Sequence, residues 1–500
     1  MTAEAGHTEE GLGRRAVLDS AALGISLGMS WTLAFAGQIA LRRVLGSERF
    51  GVLTFVESIT LLVISLLAFG VDTYIRREVS IRPAHAVEIA RPLSLVRWGA
   101  AVALSAGMGL VFFLTTRQLE RALLASAFSL AMAAVIMGQT SAAYLHAIRA
   151  VKGVSQSAVA TKVLWLLLVA LVLAGPFPLF AAPLALFFSE GLRNIWLRAD
   201  FRRHLGRPQP GSPRVALGVI RASTPYYVDS INLAFTSYAI PAMLGLLAGD
   251  AEAGYFSTAR QVMSVPMFFV PLLSWVLTPV LSRIRLRGSG MLWDRVHGII
   301  AATIVPIFAG SLLLIPLVGL AVPVLFGEGF RPAEAAVAML VPGLACTFLA
   351  VVLASALIAD GKAWTVTRVN LVTVIGMIVT AAVPMQLSAA GPSGRAALWG
   401  AAVLGVWESI TVVLLWRAAR LDGLSGSIAI GLALSAVAGT VLMLDALGAS
   451  LPNAALGAAV LVLVGVVGVT LPILVRQIRL LFTSTRSETD PDDAAGAADE

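Results

Sequence analysis

RFGVLTFVESITLLVISLLAFGVDTYIR, residues Arg49 to Arg76, decides what kind of protein this is. Between its flanking arginines only Glu57, Asp72 and the arginines themselves carry charge, and the remainder is long and apolar. Crossing a hydrocarbon core about 30 Å thick takes roughly 20 apolar residues, and this stretch supplies them. Outward from it the same pattern repeats along the chain: an apolar run, a short punctuation of Arg, Pro and Gly, then another run. Candidate helices fall at 16–41, 50–74, 95–116, 121–146, 155–174, 177–197, 217–247, 254–282, 296–326, 333–359, 364–388, 395–416, 425–447 and 454–475, about 14 in all. The expected fold class is all-α, a polytopic membrane protein.

Composition agrees with that reading. Of 500 residues 58% are hydrophobic and 13% charged, with a mean hydropathy of +0.88, whereas a soluble domain carries about 25% charged residues. The net charge of +8 does not point to nucleic acid, because the cations sit in the gaps between apolar runs. They read as topology signals and contacts to anionic lipid. Arg14 and Arg15 precede an apolar stretch that runs past Gly24, Gly28 and Trp31 without a cleavage site, so it reads as a retained first span. The single cysteine, Cys346, excludes a disulfide within the chain and argues against a thiolate metal site. No cofactor is expected. The only Gly-Lys pair, Gly361 and Lys362, lacks the rest of a phosphate loop.

An even helix count with the N-terminus in the cytoplasm leaves Arg42, Arg43, Arg49, Arg117, Arg121, Arg331 and Arg395 in outside turns. The other cations fall at cytoplasmic segments, as the positive-inside rule requires. Arg260 alone is left over, inside a helix. The expected organisation is a cytoplasmic N-terminus (1–15), an N-lobe of six helices (16–198), a basic cytoplasmic linker (199–216) and a C-lobe of six helices (217–420). Two extra helices (421–475) and an acidic cytoplasmic tail (476–500) follow. An internal echo supports two lobes as parallel repeats. RFGVLTFVES aligns with AGYFSTARQV when Gly51 is set on Gly254, which places Glu57 opposite Arg260. Each outside turn, VLGSERFG and LLAGDAEAG, then has a Gly five residues before the aligned one.

At these residues the sequence resembles the polysaccharide-exporter branch, the Wzx-type O-antigen flippases, of the multidrug/oligosaccharidyl-lipid/polysaccharide exporter (MOP) superfamily. LGSERFGVLTFVESITLLVISLLAFGVDTYIRREVS is similar to the family's second helix, and AGYFSTARQVMSVPMFFVPLLSWVLTPVLSR to its eighth. LFGEGFRPAEAAVAMLVPG is similar to the turn before helix ten, and IADGKAWTVTRVN to the turn into helix eleven. The resemblance implies two six-helix bundles around a central cavity that opens alternately to each side. It also implies a bacterial inner-membrane protein passing a polyprenyl-diphosphate-linked oligosaccharide from the cytoplasmic to the outer leaflet. Membrane lipids, a polysaccharide polymerase and glycosyltransferases would be its partners in surface-polysaccharide export. The pair of helices beyond residue 420 departs from the twelve-helix pattern.

Ionisable side chains within a span are costly and usually face a bundle interior or water. Glu57 and Arg260 each lie six residues past a helix-opening Gly, about 9 Å into the membrane at 1.5 Å per residue. They either snorkel or pair with each other to fix the lobes, or else they face the cavity. In the cavity Arg260 would meet a diphosphate, as a substrate-binding residue, and Glu57 would carry a proton. Tyr226, Asp229 and Asn232 recur at three-residue spacing and form one polar stripe. Tyr226 and Asn232 are substrate-binding candidates and Asp229 a second ion-coupling candidate, unless Asp229 is simply hydrated near a helix end. Glu190 and Glu408 read as structural partners, and Arg76 and Arg77 as inside anchors.

Three function classes remain. A lipid-linked oligosaccharide flippase fits the lobes and Arg260. An ion-coupled multidrug or cation antiporter of the same superfamily fits the fold but favours a cavity dominated by acids. A membrane glycosyltransferase or ligase would place catalytic residues on a large outside loop, and none is present, so the chain is not expected to be an enzyme.

Overall fold

The computed structural model describes the backbone of residues 3–300 and 321–419, apart from 289 and 297. Among these residues the fold is all-helical without strands, and eight helices are long and apolar enough to cross a membrane. The expected helices at 425–447 and 454–475, the tail, and most of the expected helix at 296–326 lie outside the described residues.

The first departure from the sequence reading is at its opening segment. Helix α1 spans Ala3–Ile64, covering the first expected helix and most of the second, and the chain passes between them at a single residue, Gly46, with φ 71° and ψ 177°. Its counterpart in the echo, Gly249, has φ 105°. Both turns therefore use a left-handed backbone that only glycine adopts without penalty.

The second departure is within the expected helix at 50–74, which breaks. After Ile64 come a 3-10 turn (Ser65–Leu67), then Phe69 at φ 48° and Gly70 at φ 65°, and helix α2 (Val71–Ile81) starts afresh. A Cβ at residue 70 would lie 2.6 Å from the Tyr226 backbone carbon, so close packing requires a glycine at the break.

Helices α3 (His85–Thr116), α4 (Leu119–Ala147), α5 (Val151–Ala174), α6 (Ala181–Leu205) and α7 (Pro213–Leu247) follow. The start of α7 is conventional: Ser212 caps it by accepting from the Arg214 N–H at 3.3 Å, with Pro213 in the first turn. The expected helix at 254–282 is two, α8 (Asp250–Met267) and α9 (Phe269–Arg287). Pro271 has no N–H to give to the Met267 carbonyl, and the ladder lapses beside it. Helices α10 (Ala333–Ala359), α11 (Ala363–Ser388) and α12 (Arg395–Ala419) lie almost where the hydropathy puts them.

The chain forms two compact units, one of residues 1–254 with 325–330 and the other of 255–324 with the remainder. In the first unit Val71, Ile75 and Val79 of α2 pack with Ile89 and Leu93 of α3, Tyr144 of α4 and Val219 of α7. In the second, Leu281 of α9 and Leu292, Val296 and Ile300 pack with Leu353 and Leu357 of α10 and Val412 and Leu415 of α12. The outer faces stay apolar. Phe188, Leu192 and Ile195 of α6 are more than half exposed, as are Ile375, Val379 and Val383 of α11. At i, i+4, i+7 spacing on α6 and i, i+4, i+8 on α11 these are stripes for lipid to cover, since hydrocarbon is as good a solvent for them as a protein core.

The two glycines aligned in the echo touch each other. A Cβ on Gly254 would sit 3.1 Å from the Gly51 Cα and 3.2 Å from the Ser47 carbonyl oxygen, so α1 and α8 meet backbone to backbone. Gly254→Val is expected to cost about 1–3 kcal/mol through overpacking. A lowered thermal midpoint in detergent would show it, whereas an unchanged midpoint would mean that the contact tolerates side chains.

Candidate functional site

Four interior carboxylates organise the described residues, each with a cationic neighbour. The first lies at the break between α1 and α2. Breaking a helix in a membrane frees carbonyls that water cannot reach. Here the Leu67 carbonyl accepts from Arg97 Nε at 3.0 Å and the Leu66 carbonyl from the Tyr227 hydroxyl at 3.4 Å. Arg97 is 1% exposed. Its Nη1 also donates to the Thr140 hydroxyl at 2.7 Å, which donates in turn to Asp72 Oδ1 at 2.7 Å. Asp72 and Arg97 attract across this link.

A second buried arginine lies on α1, four residues before the Gly46 kink. Arg42, also 1% exposed, donates to the carbonyl and side-chain oxygen of Gln38 at 3.0 and 2.9 Å. Its guanidinium lies 4.2 Å from the Phe50 ring centroid and 5.3 Å from that of Phe326, a geometry in which ring faces stabilise the cation. Glu57 interacts with it electrostatically. The charge count treats Arg42 and Arg97 as loop cations, and the structure buries both. For Arg97 there was a signal, since it falls inside the expected helix at 95–116. For Arg42 there was none, because the hydropathy ends the first helix at 41 while the backbone continues to the Gly46 kink.

Tyr226, Asp229 and Asn232 all lie within α7. Tyr226 is half-buried and its hydroxyl accepts from Arg77 Nη1 at 3.2 Å, so Arg77 does more than anchor a helix end. Asn232 is 5% exposed and its amide nitrogen has no hydrogen-bond partner, which is costly unless a ligand or water supplies one. Asp229 is helical in backbone, and its side chain lies outside the described residues.

In the second unit Arg260, half-buried on α8, interacts with the charge of Glu408 on α12, and Glu408 hydrogen-bonds Thr347. Glu190, 1% exposed, is held by Lys162 at 3.2 Å and Arg193 at 3.3 Å, which straps α5 to α6 as a structural pair.

Past the end of α10, Asp360 accepts from Arg285 Nε at 2.6 Å and from Lys362 Nζ at 2.8 Å. Burial pushes its carboxyl upward, but the hydrogen bonds and charges of Lys362 and Arg285 outweigh that and hold it below the ordinary value of 3.8. A depressed folded value contributes stability above the unfolded value and loses it as pH falls through the folded one. Asp360→Asn should therefore lower the thermal midpoint at neutral pH, with the difference from wild type closing below about pH 3.8. A gap that persists in acid would assign the loss to shape instead.

A family model described as polysaccharide biosynthesis protein matches residues 19–285. The comparison with curated proteins gives no match in sequence. Among solved structures, the lipid II flippase MurJ in an inward closed conformation is similar at TM-score 0.67 and 11% identity, over 91% of this chain and 99% of that one. An inward-facing multidrug resistance MATE family transporter of the MOP superfamily is similar at TM-score 0.61 and 13% identity, over 82% and 98%. A MOP superfamily transporter from Pyrococcus furiosus, described as having a binding pocket of reverse polarity, is similar at TM-score 0.52 and 13% identity, over 80% and 93%. The likeness at these identities is one of fold.

Proposed function

The chain belongs to the polysaccharide biosynthesis protein family, and from that premise we propose that it is a flippase. In this reading it moves a polyprenyl-diphosphate-linked oligosaccharide from the cytoplasmic to the outer leaflet of a bacterial inner membrane. The lobes 16–198 and 217–420 open alternately to each side, both termini lie in the cytoplasm, and a polymerase and glycosyltransferases act beside it in surface-polysaccharide export. The observation that carries the reading is Arg260, a half-buried cation on an interior helix. A planar guanidinium can make two charge-assisted bonds to a diphosphate at once. Tyr226 and Asn232 would contact the glycan, and the unpaired Asn232 amide supports that role. Glu57 and Asp229 would couple an ion gradient.

The alternative, an ion-coupled multidrug or cation antiporter, calls for a cavity dominated by acids that trade protons for a cationic drug. Asp72, Glu190 and Glu408 each have a cationic neighbour, which favours an anionic substrate. Proteoliposomes holding the purified full-length protein separate the two. Translocation of a fluorescent polyprenyl-diphosphate oligosaccharide, without ATP, is expected. Proton-driven uptake of a cationic dye with no movement of the lipid would establish the antiporter instead.

A further inference from the structure

The first unit has a cationic cavity apart from the residues proposed above for the transported substrate. A cavity of about 520 Å³ opens among α3, α4 and α6 and the segment that follows α6, within the size range of small-ligand sites. Its lining includes Arg91, Arg97, Arg198, Arg202 and Arg207 and no carboxylate. Arg198 and Arg202 are near enough for their like charges to repel, a cost that a bound anion would remove.

The floor contains donors in want of an acceptor. Arg97 and Tyr144 are among the lining residues, and Arg97 Nη2 and the Tyr144 hydroxyl are buried and make no hydrogen bond, though buried polar groups are nearly always satisfied. The segment carrying Arg207 is built into place. The Gln209 N–H donates to the Val87 carbonyl at 2.9 Å, and a Cβ on Gly211 would sit 2.6 Å from the Pro92 ring, so this stretch lies flat on α3.

The surroundings of the cavity choose among anions. Leu95 lines it and is 63% exposed, and one turn before Arg198 on α6 stands Ile195, 66% exposed. A cationic cavity beside exposed apolar side chains suits an amphiphile better than a free ion. The positive-inside distribution assigns this end to the cytoplasmic leaflet, where anionic lipids gather arginines. We propose that the cavity binds the phosphate headgroup of an anionic membrane phospholipid, with its acyl chains running along Leu95 and the outer face of α6. The proposal stands independently of the transported substrate.

The test uses the full-length protein in nanodiscs of equal phosphatidylglycerol and phosphatidylcholine, with bound lipid read by native mass spectrometry after extraction. Wild type should retain phosphatidylglycerol selectively. The Arg198→Gln/Arg202→Gln double variant should lose that selectivity on the order of 30-fold. Arg82→Gln, at an exposed cation outside the cavity, should keep it. Equal retention of the two lipids by wild type, or unchanged selectivity in the double variant, would overturn the site. In detergent, phosphatidylglycerol should raise the thermal midpoint of wild type and inorganic phosphate should not. An equal rise with inorganic phosphate would mean a free-anion site and sink the lipid assignment. Gel-filtration profiles matching wild type keep the double variant's result from being read as misfolding.

Discussion

Arg260→Ala is expected to leave the protein inserted and abundant while cutting flipping of the diphosphate-linked oligosaccharide by on the order of 100-fold or more. That size follows from losing two charge-assisted bonds to the diphosphate. Arg260→Lys should recover only part of the activity, because a point charge cannot match a bidentate fork. The competing role is structural, and the structure names the partner to test it with: Glu408, whose charge interacts with Arg260. If the pair serves only to hold α8 against α12, the swap Arg260→Glu with Glu408→Arg restores both abundance and transport. If Arg260 meets the substrate, the swap restores abundance alone. Full transport by the swapped protein, or by Arg260→Ala, would remove Arg260 from the substrate site.

The largest effect on stability is expected at Arg97. Truncation to Ala strips the Leu67 carbonyl at the helix break of its donor and leaves Asp72 buried without its main cationic neighbour. Breaking one side of a buried ion pair costs about 3–5 kcal/mol, a large fraction of the 5–15 kcal/mol by which proteins are typically stable. Arg97→Ala should therefore fail to accumulate as a monodisperse species in fluorescence-detected gel filtration. Adding Asp72→Asn should restore part of the yield by removing the stranded charge. The Leu67 carbonyl would still lack its donor, so the rescue should stay incomplete. A stable, abundant Arg97→Ala protein would show that water reaches the break and that Arg97 is dispensable there.

Much of the architecture was written in the chain. A span is decided by the summed transfer free energy of some 20 consecutive side chains, a local quantity, so α10, α11 and α12 could be placed within a few residues. Turn chemistry is local too, and the aligned Gly46 and Gly249 are both left-handed in the structure, as matching turns would require. The helix that carries Tyr226 and Asn232 was legible for the same reason, since an apolar run predicts it over 217–247 and the structure has it at Pro213–Leu247.

Charge was where local reading stopped short. Hydropathy cannot tell an arginine at a helix end that meets water from one that turns inward, and it assigned Arg42 and Arg97 to the first class. Their burial depends on partners distant in sequence: Phe326 beneath Arg42, and for Arg97 the carbonyl freed by a break thirty residues earlier. That break is itself tertiary, because it exists where the Tyr226 backbone presses on Gly70. The echo sets Gly51 on Gly254, and the structure adds that the two touch. For Glu57 and Arg260 it assigns neighbours, Arg42 and Glu408, that no alignment of the two segments contains. Composition and periodicity determined that this chain lives in a membrane, where its helices run and which turns join them. Which of its charges are buried, and against what, was decided only by the packing, because the energy of a charge in a bilayer is set by the few groups within hydrogen-bonding or Coulomb reach, and sequence distance says nothing about those.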